Sequence, residues 1–317
     1  MRTSRFTTRR IMTAIAFIVS PWLALAGSLT PPGPPAPTMK TLTEVQPRTP
    51  ISSLPFTISQ PGSYYLTQNH VLAPGVCCNG ISVVANNVVL DLNGFEMSGV
   101  GSLLGSAGVA LGSSNNSIVR NGTIRGFTGS GITSAGGNPP PVFNLIVEDV
   151  IVSDCGTTGF AYSGIYLVRG IVRGSIVRGN KQAGITVLFD GLVEDCIADG
   201  NGNYGIEAGT GTTVRDCTVR HNGSAGIAIG DRTMIVGNNV SDNVGSGIFT
   251  YGGSDNRIEG NNVVSNQRFG IECSTTGNFV VKNSSRSNSF GPWLLLLGNV
   301  APSEVGTATN AWSNVAF

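Results

Sequence analysis

A glycine followed by an apolar residue returns along most of this chain: Gly80-Ile81, Gly108-Val109, Gly131-Ile132, Gly159-Phe160, Gly184-Ile185, Gly205-Ile206, Gly226-Ile227, Gly247-Ile248 and Gly270-Ile271. Successive glycines stand 28, 23, 28, 25, 21, 21, 21 and 23 residues apart. A recurring period of this size marks a solenoid, in which each repeat is one structural unit stacked on the next. No repeat has room for a helix. From Gly205 to Asn222 the inward candidates are Ile206 and Ala208, then Val214, Cys217 and Val219, with Asn222 closing the unit. Period-two apolar stretches separated by Gly and Asn read as short strands joined by bends.

Overlaying the repeats on their closing residue aligns Asn180, Asn201, Asn222, Asn243, Asn266 and Asn288, with Cys155 in the same slot earlier. If each repeat is one coil, identical side chains stack at roughly the 4.8 Å strand spacing and their amides hydrogen-bond along the stack. A second inward slot reads Val150, Ser175, Cys196, Cys217, Asn238, Asn261 and Asn283. Cys196 and Cys217 fall one above the other there. Their spacing would permit a bridge, but two buried thiols in a ladder is the reading preferred.

Composition agrees with many turns and few helices. The 317 residues include 44 Gly, 16 Pro and 27 Asn against 37 charged residues, and 40% are apolar. That balance excludes helical bundles and coiled coils, and it excludes a disordered chain.

Residues 1–26 have the parts of a secretory signal: Arg2, Arg5, Arg9 and Arg10, an apolar stretch from Ile11 to Ala26, and a small-residue end at Ala24-Leu25-Ala26. Cleavage there takes Lys plus Arg from 19 to 15 and leaves Asp plus Glu at 18, so the net charge moves from +1 to −3. A nucleic-acid partner needs a basic footprint, so none is expected. No stable membrane span is expected after cleavage, and the predicted location is secreted, periplasmic or cell surface. Residues 27–50 are proline-rich and read as an extended linker. The repeat array with its N-terminal cap is assigned to 51–290. The segment 291–317 is assigned to a C-terminal cap or tail that uses Trp293, Leu294 to Leu297, Trp312 and Phe317.

The Gly-Ile openings, the Val-x-x-Asn/Cys-x-Val-x-x-Asn coils and the asparagine ladder together resemble the right-handed parallel β-helix proteins of the pectin lyase-like superfamily, over roughly residues 52 to 290. The leading segment from Leu54 to Phe95 is similar to the first coils of bacterial secreted members. The resemblance implies an all-β, single-stranded right-handed parallel β-helix of about nine coils of 21 to 28 residues, with capped ends. It does not imply one activity, because the superfamily includes lyases, glycosidases, epimerases, adhesins and proteins without chemistry.

The same overlay stacks outward residues. One column reads Arg120, Glu148, Arg173, Glu194, Arg215, Val236 and Glu259; a second reads Arg125, Ser153, Arg178, Asp199, Arg220 and Ser241. Alternating signs predict cross-strand ion pairs that fix register, or a polar strip for an extended sugar chain with Arg forks on its oxygens. Between them runs Asp149, Gly174, Asp195, Asp216 and Gly237. Asp195 and Asp216, with Arg215, are the candidate catalytic residues. Glu194, Asp195 and Asp216 are a candidate Ca²⁺ set, since closely spaced carboxylates can bind Ca²⁺ or divide acid and base duties. Arg173, Glu194, Arg178, Asp199, Arg220 and His221 are candidate substrate-binding residues.

Known chemistries of the resembling families find little support. Polygalacturonase motifs (Asn-Thr-Asp, Asp-Asp, Gly-His-Gly, Arg-Ile-Lys) and the epimerase-like Asp-Pro-His-Asp are absent, and the only histidines are His70 and His221. Glu207 and Glu272 share a slot three coils apart, too far for a glycosidase pair. Tyr204, Tyr251 and Phe269 fall near repeat boundaries, where rings stack on sugars or pack between turns. The leading expectation is an exported β-helix that binds a polysaccharide or another cell-surface polymer along its stacked faces. The alternatives are a polysaccharide lyase or hydrolase with a carboxylate and Arg site, and a structural surface spacer without ligand.

Overall fold

One coil shows how the chain builds every other. Ile206–Thr210, Thr213–Arg215 and Thr218–Arg220 are its three strands. Ile206, Ala208, Val214, Cys217 and Val219 point inward and are at most 1% exposed. Single residues with left-handed backbone separate and end the strands: Gly211 at φ 74°, Asp216 at 56° and His221 at 55°. Such a residue bends an extended chain sharply, so the strands on either side can face one interior. Only Gly, Asn and Asp enter that region at small cost, which explains why so many corners carry them. The next coils repeat the device at Arg232, Gly237 and Asp242, then at Asp255, Gly260 and Ser265.

The computed structural model describes residues 47–75, 78–112, 114–134, 144–157, 162–295, 303–305 and 313–316. The expected signal segment and most of the expected linker lie outside these residues, as do Leu296, Leu297, Trp312 and Phe317. Every strand pairing is parallel, as in Ile206 with Ile185 and Ile227, and the described residues contain no helix. The strands that open the coils form one face, an 11-stranded sheet, and the solenoid has about ten turns. The other two faces are joined into a 21-stranded sheet, because Ile118–Arg125 and Ile146–Ser153 run through both.

Both asparagine ladders are present. In the first, Asn180, Asn201, Asn222, Asn243 and Asn266 each donate a side-chain hydrogen bond to the next asparagine at 2.9–3.0 Å. In the second, Asn238, Asn261 and Asn283 do the same, ending on Asn314. Cys196 and Cys217 sit below that second stack as separate buried thiols. The neighbouring Cys196 thiol and burial push the Cys217 thiol upward, and burial, helped by the charges of Asp154 and Glu272 respectively, takes those of Cys155 and Cys273 to about 12.

Three details differ from expectation. The opening expected at Gly159-Phe160 lies outside the described residues, and its strand is Ile165–Leu167, with Ile165 paired to Ile132 and Ile185. Its opening glycine is Gly164, where an added Cβ would stand 2.6 Å from Asn180 Nδ2. Five extra positions precede this strand: Ile165 follows Ser153 by 12, whereas Ile132 follows Arg125 and Ile185 follows Arg178 by 7. At the N-terminal end, the expected cap is itself a coil: Thr49–Ile51 pairs with Gly62–Leu66, and Phe56–Ile58 with Ile81–Val83. At the other end Gly291–Leu295 adds a further strand to the first face, with Trp293 in register with Ile271.

Candidate functional site

The two charged columns exist in the expected register, but they resolve into separate pairs. Arg173 donates to Glu148 and Arg215 to Glu194, each Arg reaching back one coil. Glu259 accepts from both Lys282 and Arg257, which hold its carboxyl below the usual carboxylate range. In the second column Asp199 meets Arg220 at 3.2 Å and His221 Nδ1 at 2.9 Å, so those three converge. Arg178, although in register with Asp199, is not part of that group.

Asp195 and Asp216 occupy adjacent corners, both exposed and both left-handed at φ 52° and 56°. Their column holds only Asp and Gly because every one of its corners is left-handed, Asp149 at φ 52°, Gly174 at 58° and Gly237 at 68°, and an added Cβ on Gly237 would stand 2.9 Å from the Asp216 carboxylate. Glu194 faces Arg215. Among the described residues no three His, Cys, Asp or Glu side chains converge as a metal site would.

A different constellation lies on the first face. Its outward column reads Ser82, Ala110, Thr133, Tyr166, Thr186, Glu207, Ala228, Phe249 and Glu272, each paired with the next by parallel register. Thr186 is 1% exposed; its hydroxyl donates to Glu207 Oε2 at 3.1 Å and stands 2.7 Å from the Ser163 hydroxyl. The Glu207 carboxyl is pushed above the usual carboxylate range by desolvation, against the pull of the Thr186 bond. Tyr166, Tyr204 and Tyr251 surround it, and each phenol is raised first by burial and then by the Glu207 charge.

Shape follows from small residues. Gly209 and Gly230 stand in register below Tyr251, and a Cβ on Gly209 would lie 2.0 Å from the Leu188 carbonyl oxygen. They help form a depression of about 380 Å³ bordered by Phe189 and Tyr251. Two to four coils before Glu207, Ala110, Ser130, Thr133, Tyr162 and Tyr166 help line another of about 310 Å³. The face thus presents two depressions with hydroxyl and aromatic walls, and the partly buried Glu207 carboxyl lies near Tyr166 of one and Tyr251 of the other; together they make up the trough of this face. Sequence reasoning named Glu207, Tyr204 and Tyr251 separately without joining them. Reading the residue after each opening apolar position as an outward column would have joined Tyr166, Thr186 and Glu207, had Gly164 been recognised as an opening.

Residues 62–191 and 172–304 match the family model described as "Right handed beta helix region". No curated protein matches in sequence. Among solved structures, the A-module of the Azotobacter vinelandii mannuronan C-5 epimerase AlgE4 superposes with a TM-score of 0.62 at 12% identity, covering 85% of this chain and 84% of that one. The periplasmic alginate epimerase AlgG gives 0.55 at 13% identity, covering 81% and 76%. A tailspike protein of the E. coli bacteriophage HK620, solved with a pentasaccharide, gives 0.55 at 15% identity, covering 87% and 61%. At these identities the likeness is one of fold.

Proposed function

We propose, from the premise that this chain belongs to the right-handed β-helix family, that it is an exported protein that binds an extended polysaccharide or cell-surface polymer along its stacked faces. The observation that carries the reading is the trough on the first face, where Tyr204, Tyr251, Thr186 and Glu207 gather around small-residue coils. Aromatic rings offer an apolar face with a polar tip, and a few placed polar groups fix orientation, which is the usual make-up of a ligand site. Parallel coils repeat these surfaces at roughly 4.8 Å, suited to a linear repeating ligand. Named relatives in fold include epimerases of alginate and a tailspike solved with a pentasaccharide; they support this reading without fixing the polymer.

The competing reading is a polysaccharide lyase or hydrolase. One observation favours it: desolvation raises the Glu207 carboxyl above the usual carboxylate range, the direction in which a general acid is tuned. The corner at Asp195, Asp216 and Arg215 is the other place proposed for such chemistry, with Ca²⁺ as the ion to test there. Incubating the mature protein with pectate, alginate and neutral polymers, with and without Ca²⁺, and following unsaturated products and reducing ends separates these readings. Binding without product supports the binder, product supports the enzyme, and neither supports a spacer. Glu207→Gln and Asp216→Asn then tell which site is used.

A further inference from the structure

The trough on the first face differs from the other two faces in one chemical respect. None of its outward residues from Ser82 to Glu272 is Arg or Lys, and neither are the described residues in the columns just before and after. Arg120, Arg173, Arg215 and Arg220 all belong to the other faces, where Asp91, Glu148, Glu194 and Asp199 hold them. The cations bordering the trough are loop or corner residues: Arg268 faces Glu272, Arg169 faces Asp190, and Lys181 and Arg232 stand outside the strand columns.

The trough does contain carboxyls. Glu207 is bonded by a neutral hydroxyl, Thr186. Asp231, at the edge near Tyr251, accepts from the Ser254 backbone N–H. A polyuronate would set its own carboxylates against these with no Arg or Lys in the strand columns to receive them, and unpaired charge in a partly desolvated site is costly. Sugar hydroxyls meet no such penalty, because they can donate to Glu207 and exchange bonds with the tyrosine and threonine hydroxyls. Discrimination built from an uncompensated like charge is a recognised route to specificity.

We propose that this trough takes an uncharged glycan and excludes polyuronates. The proposal rests on the polysaccharide-binding reading above and adds the substrate class.

The test uses the mature full chain, checked for folding by circular dichroism, against immobilised neutral glucans, galactans and mannans and against polygalacturonate and polymannuronate. The expected result is binding to a neutral glycan that barely changes with salt and weakens about tenfold or more in Tyr251→Ala, with no polyuronate binding. Glu207→Gln, which keeps the shape and removes the charge, is expected to admit polyuronate. Wild-type binding to either polyuronate that Tyr251→Ala weakens would overturn the inference. So would polyuronate binding lost only in the Arg173→Ala, Arg215→Ala double variant, which would leave the polysaccharide reading standing on another face. Binding to no glycan would sink both together.

Discussion

A Cβ added to Gly205 would stand 2.5 Å from Nδ2 of Asn222, the asparagine that closes the same coil. Gly184 with Asn201, Gly226 with Asn243, Gly247 with Asn266 and Gly270 with Asn288 repeat the relationship at 2.6–2.8 Å. The opening glycine and the closing asparagine therefore form one device, and neither can vary alone. Gly205→Ala also meets Val219 at 2.4 Å and the Gly226 carbonyl oxygen at 2.8 Å, so relief requires moving backbone. Overpacking of this kind costs about 1 to 3 kcal/mol. Urea unfolding should show that loss, while Gly200→Ala, where a Cβ would meet nothing within 4 Å, should cost only the strain of its left-handed backbone.

Asn222 Oδ1 accepts two bonds from Asn201, one from its backbone N–H and one from its side chain, both 3.0 Å long. Both residues are fully buried. Asn222→Ala leaves two donors without partners, at about 1 to 3 kcal/mol each, so a loss of about 2 to 6 kcal/mol is expected. Asn288→Ala, at the end of that ladder, should cost less because its neighbourhood is partly exposed. Equal losses at both positions would mean that stacking contributes nothing beyond each local bond.

The Asp216 corner separates backbone need from carboxylate chemistry. With φ at 56°, Asp216→Asn and Asp216→Gly should leave the thermal midpoint almost unchanged, whereas Asp216→Val should cost about 1 to 2 kcal/mol, since branched residues resist the left-handed region. The same variants in the turnover and Ca²⁺ assays read the proposed catalytic role independently. If Asp216→Asn kept its stability and lost a measured activity, the carboxylate itself would be engaged.

Fold was legible because stacking turns one-dimensional spacing into register. Positions 21 residues apart, such as Glu194 and Arg215, become neighbours without any long-range guess. The same arithmetic failed where one turn is longer, at Gly164, and with it went the column containing Tyr166. The corners misled in another way. Asp195 and Asp216 look like a carboxylate pair when only side-chain chemistry is weighed, yet the Gly174 and Gly237 in their column already signalled a backbone constraint. Glu207 was named and set aside because it has no second carboxylate within reach. What surrounds it, Thr186 beneath and tyrosines from other coils, depends on which side chains lean over which small residues, and linear spacing does not encode that.

Glu207 gives a pH test with a definite sign. Desolvation raises its carboxyl above the usual range in the folded protein, so the folded state binds its proton more tightly than the unfolded state does. Stability then falls as pH rises from the ordinary carboxylate value through the raised one, and stays at the lower level above it. Glu207→Gln has no such proton. Its stability relative to wild type should therefore improve progressively from about pH 4 upward and level off once the folded carboxyl has ionised. Thr186→Val removes the one bond that opposes the rise and should push the levelling point to higher pH, after its own constant packing cost is subtracted. Thermal midpoints of the three proteins across this range suffice, and a wild-type stability that increased with pH relative to Glu207→Gln would show that the trough stabilises a carboxylate rather than a carboxylic acid.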